Sequence, residues 1–143
     1  MKRIVMMLMA ACLVASCDKP LFPTAADEFV GSYTFTDNYT VKLEEETNSS
    51  SFTGTFLLSK ISSSSIQMQG AWTTTGTVTG NTVVFSPCSE PDGQGGYVTY
   101  SFDTGSLAGN TLVFTYKGKG YRKVDDVVTS WETAGSVTAV KNQ

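Results

Sequence analysis

Thr75-Gly76-Thr77-Val78-Thr79-Gly80-Asn81-Thr82-Val83-Val84-Phe85 and Thr104-Gly105-Ser106-Leu107-Ala108-Gly109-Asn110-Thr111-Leu112-Val113-Phe114 are two copies of one pattern, identical at seven of eleven positions. Each centres on Gly-Asn, a dipeptide that supplies the positive φ of a two-residue hairpin turn, so each copy reads as strand, tight turn, strand. Two similar hairpins suit an antiparallel meander. They are too few for a solenoid or a propeller.

Outward from the hairpins the chain stays rich in Thr, Val, Tyr and Phe, punctuated by Gly, Asn and Ser, with almost no helical apolar period. With large apolar residues taken as inward, period-two alternation marks eight strands. Tyr33 and Phe35 mark the first, Tyr39, Val41 and Leu43 the second, and Phe52, Gly54, Phe56 and Leu58 the third. In the fourth, Ile66, Met68, Gly70 and Trp72 alternate with Gln67, Gln69 and Ala71. Val83 and Phe85 mark the fifth, Val98, Tyr100 and Phe102 the sixth, Leu112, Phe114 and Tyr116 the seventh, and residues 120–124 the eighth. Eight antiparallel strands in a small domain must hide their edges, and closure does so. The expected fold is therefore all-β, an eight-stranded antiparallel up-and-down barrel. Thr24-Ala25-Ala26-Asp27 approximates a capping box and predicts one helical turn leading into Phe29.

If the strands alternate direction, residues 37–38, 60–65, 88–95 and 117–119 gather at one end, a mouth near Asn38, Ser63, Asp92 and Gly118. The Gly-Asn turns and the helical turn fall at the other end, and residues 47–50 are the one longer connection away from the mouth. Residues 126–143 are expected to form a C-terminal extension, with a short helix over 125–131 followed by a loose tail. The expected division is a signal peptide at 1–16, a tether at 17–26, the barrel at 27–125 and the extension at 126–143.

At the N-terminus, Met1-Lys2-Arg3 precedes eleven apolar residues, Ile4 to Val14, and then Ala15-Ser16-Cys17. A positive n-region, a short h-region and small residues before a cleavage point make a signal peptide. The apolar run would cover only about 16 Å as a helix, about half a bilayer core. Leu13-Val14-Ala15-Ser16-Cys17 resembles the bacterial lipobox, in which the cysteine thiol is acylated, the chain is cut before it, and the new amine is acylated too. The resemblance implies a 127-residue mature chain anchored to a membrane through lipid on Cys17. Each buried acyl methylene contributes about 0.8 kcal/mol and one chain anchors only marginally, so several chains would hold the protein stably. Pro20 and Pro23 suit an extended tether above the lipid. The expected location is the bacterial cell envelope, on the outer membrane at its periplasmic face or the cell surface. Inner-membrane retention is the alternative that Asp18 would favour under the enteric sorting pattern.

Loss of Lys2 and Arg3 leaves 8 basic against 13 acidic residues, a formal charge of −5, which argues against nucleic acid as a partner. The chain has no histidine, so the commonest general base, the usual Ser-His and Cys-His pairs and the commonest zinc ligand are missing. Ser106 lacks the Gly-x-Ser-x-Gly spacing of a nucleophile elbow and belongs to a hairpin. Glu44-Glu45-Glu46 and Asp125-Asp126 read as solvated surface charge rather than paired acids or calcium ligands. No enzyme, cofactor or metal centre is expected. Cys12 leaves with the signal and Cys17 carries lipid, so Cys88 has no disulfide partner within the chain. Pro87-Cys88-Ser89-Glu90-Pro91-Asp92-Gly93-Gln94-Gly95-Gly96 reads as a long polar loop at the mouth, beside the lysines 117, 119 and 123.

Phe29-Val30-Gly31-Ser32-Tyr33 resembles the start of a lipocalin-like (calycin) barrel, where a short helix leads into Gly-x-aromatic on the first strand. That family usually has tryptophan where this chain has Tyr33, and a basic residue on its last strand packs over the aromatic. Arg122, on the inward parity with Val124, matches that role, so the resemblance implies that Tyr33 and Arg122 close the barrel base. A cation over a ring contributes about 0.5 to 2 kcal/mol. The Gly-Asn hairpins are also similar to those of avidins, but the barrel region as drawn holds only Trp72 of a tryptophan-rich ligand site.

The inward residues Phe35, Tyr39, Phe56, Met68, Phe85, Tyr100, Phe114 and Tyr116, with Trp72 among them, have two readings. They line a pocket for one small apolar ligand, which an eight-stranded barrel can hold, or they fill the interior. The first makes the protein a non-catalytic, membrane-anchored binding module. The second makes it a protein-interaction lipoprotein with a filled barrel, a hydrolase inhibitor or host-surface binder acting through its loops.

Overall fold

The computed structural model describes residues 22–143; the expected signal peptide, Cys17 and the tether up to residue 21 lie outside the described residues. One helical turn, α1 (Ala25–Phe29), comes first. The Asp27 carboxylate reaches back to accept hydrogen bonds from the Thr24 N–H and hydroxyl, both at 2.7 Å, which satisfies one end of the expected cap. Lys60 adds an ion pair to Asp27 at 2.8 Å. The Lys60 hydrogen bond first, and those from Thr24 after it, hold the Asp27 carboxyl down to about 2.

All the remaining elements are strands: β1 (Gly31–Leu43), β2 (Glu46–Ser62), β3 (Ser65–Gln69), β4 (Thr74–Thr79), β5 (Thr82–Phe85), β6 (Cys88–Pro91), β7 (Tyr97–Phe102), β8 (Gly105–Ala108), β9 (Thr111–Val124) and β10 (Val127–Lys141). They form one antiparallel sheet in which β10-β1-β2-β3-β4-β5-β8-β9 closes into a ring of eight, because β9 also pairs with β10. β6 and β7 follow β5 and precede β8 across breaks at residues 86–87 and 103–104, and β7 pairs with the far half of β9, Tyr97 opposite Tyr121 through Phe102 opposite Tyr116.

The closed half surrounds the core. Phe56, Leu58, Ile66, Met68, Phe85, Leu112 and Phe114 meet there, and Phe29 of α1 is fully buried against them. Large rings fit because neighbouring strands present inward glycines. A Cβ on Gly54 would lie 2.9 Å from the Phe35 ring, and one on Gly76 would lie 2.9 Å from that of Phe85. α1, the 63–64 turn and both Gly-Asn turns share this end, where the Ala26 N–H donates to the Ser63 carbonyl and the Leu107 N–H to the Asn81 carbonyl. In both Gly-Asn turns the positive φ falls on the glycine alone, 57° at Gly80 and 59° at Gly109, which is the type II′ arrangement.

The other half is open. There the wall runs β2-β1-β10-β9-β7-β6, and its two outer strands do not pair with each other: β2 meets β3 only from Leu57 onward, and β6 pairs only with β7. The 44–45, 70–73, 92–96 and 125–126 connections lie at this end.

Several expectations change. The expected first and second strands are one strand, β1, and the seventh and eighth are one strand, β9, so residues 37–38 and 117–119 are strand interior rather than loops. Residues 47–50 are likewise inside β2. The 60–65 connection, with Ser63, lies at the α1 end and not at the mouth. The loop expected at 87–96 contains β6 and a short turn.

The largest correction is at the C-terminus. Instead of a helix over 125–131 and a loose tail, Val127–Lys141 is the strand that closes the ring, pairing with β1 from Tyr33 to Lys42 and with β9 from Thr111 to Val124. Asp125 and Asp126 are the two-residue turn into it, both at positive φ (48° and 65°), the type I′ arrangement that aspartate tolerates. The ring therefore runs past residue 125, and 126–143 is no extension.

Candidate functional site

The expected base contact is made by a different cation. Tyr33 is fully buried and its hydroxyl donates to the Phe29 carbonyl at 2.8 Å; burial pushes its pKa up to about 12. Lys141, opposite Tyr33 at the end of β10, places Nζ 6.0 Å from the ring centroid and donates to the Glu28 carbonyl at 2.8 Å. Arg122 lies at the open end instead. Its guanidinium sits 5.6 Å from the Trp131 ring centroid and pairs with Asp92 at 2.7 Å. Arg122 was matched to the last strand only because β10 was not recognised as one.

Asp92 pins the 92–96 turn: its Oδ1 accepts from the Gln94 and Gly96 N–H groups at 2.8 Å, while Oδ2 accepts from Arg122 Nε. Against the opposing push of burial, the bonds from Gln94, Arg122 and Gly96 hold its carboxyl below the usual range. Cys88 faces inward opposite Tyr100, and burial, with Glu90 close by, raises its thiol to about 11, so it stays a thiol.

The open half contains a pocket of about 500 Å³. β1 supplies Phe35, Asp37, Tyr39 and Val41, because odd positions of that strand face inward. Phe52 comes from β2, Tyr100 from β7, Tyr116 from β9, Trp131 and Thr133 from β10, and Ala71-Trp72 from the β3–β4 connection. Trp72 is the floor. It is 5% exposed, and its ring stands 5.2 to 6.1 Å from those of Phe35, Tyr100, Phe102, Phe114 and Tyr116, so one face of this cluster belongs to the core and the other to the pocket. Trp131 lies across Gly120, where any Cβ would overlap its indole.

Of the expected lining residues, Phe35, Tyr39, Tyr100 and Tyr116 meet in this pocket. Phe56, Met68, Phe85 and Phe114 do not; they are packed in the closed half. The interior is thus filled on one side of Trp72 and open on the other.

Asp37 was read as part of a turn and is the polar feature of the site. It sits mid-strand, opposite Val137 and Phe52, only 6% exposed. Its Oδ2 accepts the Tyr116 hydroxyl at 2.7 Å, while Oδ1 is buried without a partner. Gly135 makes room for the pair, since a Cβ there would lie 2.5 Å from the Tyr116 ring and 2.6 Å from Oδ1. Burial raises the Asp37 carboxyl above its ordinary range, and burial followed by the Asp37 bond raises the Tyr116 hydroxyl far above its own. The signal in the sequence was Asp37 on the inward parity of Phe35 and Tyr39; a break placed at 37–38 hid it.

A second open groove of about 490 Å³ is charged, with Lys42, Glu44, Lys119 and Glu132 around Gly120, Ser130 and Trp131, and its Lys119–Glu132 pair at 3.9 Å is solvated. No family model matches the chain, and no curated protein matches it.

Proposed function

We propose that the protein is a lipocalin-like β-barrel lipoprotein, held in the bacterial cell envelope by lipid on Cys17, that binds one small and largely apolar ligand at its open end and catalyses nothing. The observation that carries this reading is the aromatic-walled pocket of about 500 Å³ above Trp72, a volume within the range of small-molecule sites. Support for the lipocalin-like part comes from the short helix leading into Gly31-Ser32-Tyr33 and from Lys141 over Tyr33 at the end of the last strand. Support for the anchor comes from Leu13-Val14-Ala15-Ser16-Cys17. The missing histidine supports a non-catalytic role.

The filled closed half favours a second reading, a protein-interaction lipoprotein using the same open end. A binding titration separates the two. The chain has two tryptophans and both line the pocket, so a neutral apolar probe, N-phenyl-1-naphthylamine, should quench their emission at one site per chain. Saturable binding supports the ligand reading, and no binding by this probe or by the smaller phenyl probes named below refutes it. Cys17→Ser should move the folded protein from the membrane to the soluble fraction; a variant that stays membrane-bound refutes the anchor.

A further inference from the structure

We infer that the ligand taken by this pocket is an organic monocation, a protonated amine on an apolar body, whose N–H pairs with Asp37. The inference rests on the pocket being a ligand site and names what that site selects. Asp37 is a carboxylate more than nine-tenths buried, with one oxygen engaged by Tyr116 and the other unpartnered. Asp37 is a lining residue of the pocket, and a buried polar atom such as its Oδ1 is costly unless something bonds to it. Among the described residues no lysine or arginine lines the pocket, so none of them supplies a counter-ion there. Two cations of the open end are engaged elsewhere: Arg122 pairs with Asp92 and lies over Trp131, and Lys119 is on the outer face of β9 beside Glu132.

The rest of the lining fits the same ligand. Tyr39, Trp72, Tyr100, Tyr116 and Trp131 present electron-rich rings around the acid, which favour a cation over a neutral group of the same shape, while Phe35 and Val41 suit its hydrocarbon body. An anionic ligand would meet an uncompensated carboxylate. The titratable groups facing Asp37 are Tyr116 of β9 and Tyr100 of β7, with Tyr39 on its own strand; β2 and β10 present Phe52, Gly135 and Val137, which do not titrate. Amine binding draws Asp37 into its ionised form, so affinity should fall as pH drops through the raised Asp37 range.

The test uses three probes of one shape, 2-phenylethylamine, 2-phenylethanol and 3-phenylpropionate, followed by tryptophan quenching at neutral pH alongside N-phenyl-1-naphthylamine. Wild type should bind the amine about tenfold or more tighter than the alcohol, with the carboxylate weakest. Asp37→Asn keeps the acceptor for Tyr116 and should bring amine and alcohol to equal affinity while N-phenyl-1-naphthylamine still binds. If the naphthylamine binds wild type but the amine has no advantage, or Asp37→Asn keeps it, the inference fails and the pocket reading stands. If no probe binds, both fail.

Discussion

Trp72→Ala tests the division of the molecule into a filled half and an open half. The indole is 95% buried and has five aromatic neighbours with centroids 5.2 to 6.1 Å away. Truncating a packed tryptophan costs about 3–5 kcal/mol, lost burial and the residual cavity together. Out of a total stability of about 5–15 kcal/mol that is a large share. For a domain of this size each kcal/mol moves Tm by about 3–6 °C, so the variant should melt about 9–30 °C lower. Trp131→Ala is the control, because that ring is half-buried on the open wall and its loss should cost about 1 kcal/mol. The assay is thermal unfolding by far-UV circular dichroism with urea titration at 25 °C. Equal and small shifts for both variants would show that Trp72 is a loop residue over a hollow interior, and the argument for a filled core would fall.

Three further outcomes follow from the same contacts. A chain ending at Asp126 loses β10, unpairs β1 and β9 together and removes the buried Val137 and Ala139, so it should show no cooperative melt; a sharp transition would contradict ring closure by β10. Lys141→Met should lower stability by about 0.5–2 kcal/mol through loss of the cation over Tyr33, whereas Arg122→Met should leave the Tyr33 resonances unmoved by NMR; the reverse pattern would restore the pairing expected from sequence. Because the Asp27 pKa is lowered to about 2, its contribution is present above the ordinary carboxylate pKa of about 4 and lost as pH falls toward 2. The protection factors of the Thr24 and Asp27 amides, corrected for intrinsic exchange, should therefore fall over that window, and Lys60→Met should narrow the window by letting Asp27 protonate at higher pH.

Local pattern alone determined much of this protein. Period-two alternation and the Gly-Asn dipeptides mark the strands and both II′ turns, because side-chain direction in a strand and glycine's access to positive φ are properties of neighbouring residues. Thr24 and Asp27 likewise announce the helical turn. What failed was continuity. Asp37 and Lys117-Gly118-Lys119 look like breaks, yet both lie inside strands of 13 and 14 residues. Asp37 is held inside by Tyr116, 79 positions away, and Gly118 and Gly120 leave space for Tyr100 and Trp131.

Only the tertiary structure decided the rest. The inner face of β10 carries Thr133, Gly135 and Ala139 between and beside Trp131 and Val137, so its large inward residues are too widely spaced to stand out as a strand of the core; the rings of Tyr116 and Phe35 on neighbouring strands fill the space above the small side chains. The same exchange of bulk between strands chose Lys141 for Tyr33, divided the interior at Trp72, and brought Asp37 together with rings from five separate elements. A one-dimensional period reports which face a residue takes. It does not report what stands opposite, and in this protein the opposite residue decides whether a position is core, pocket or turn.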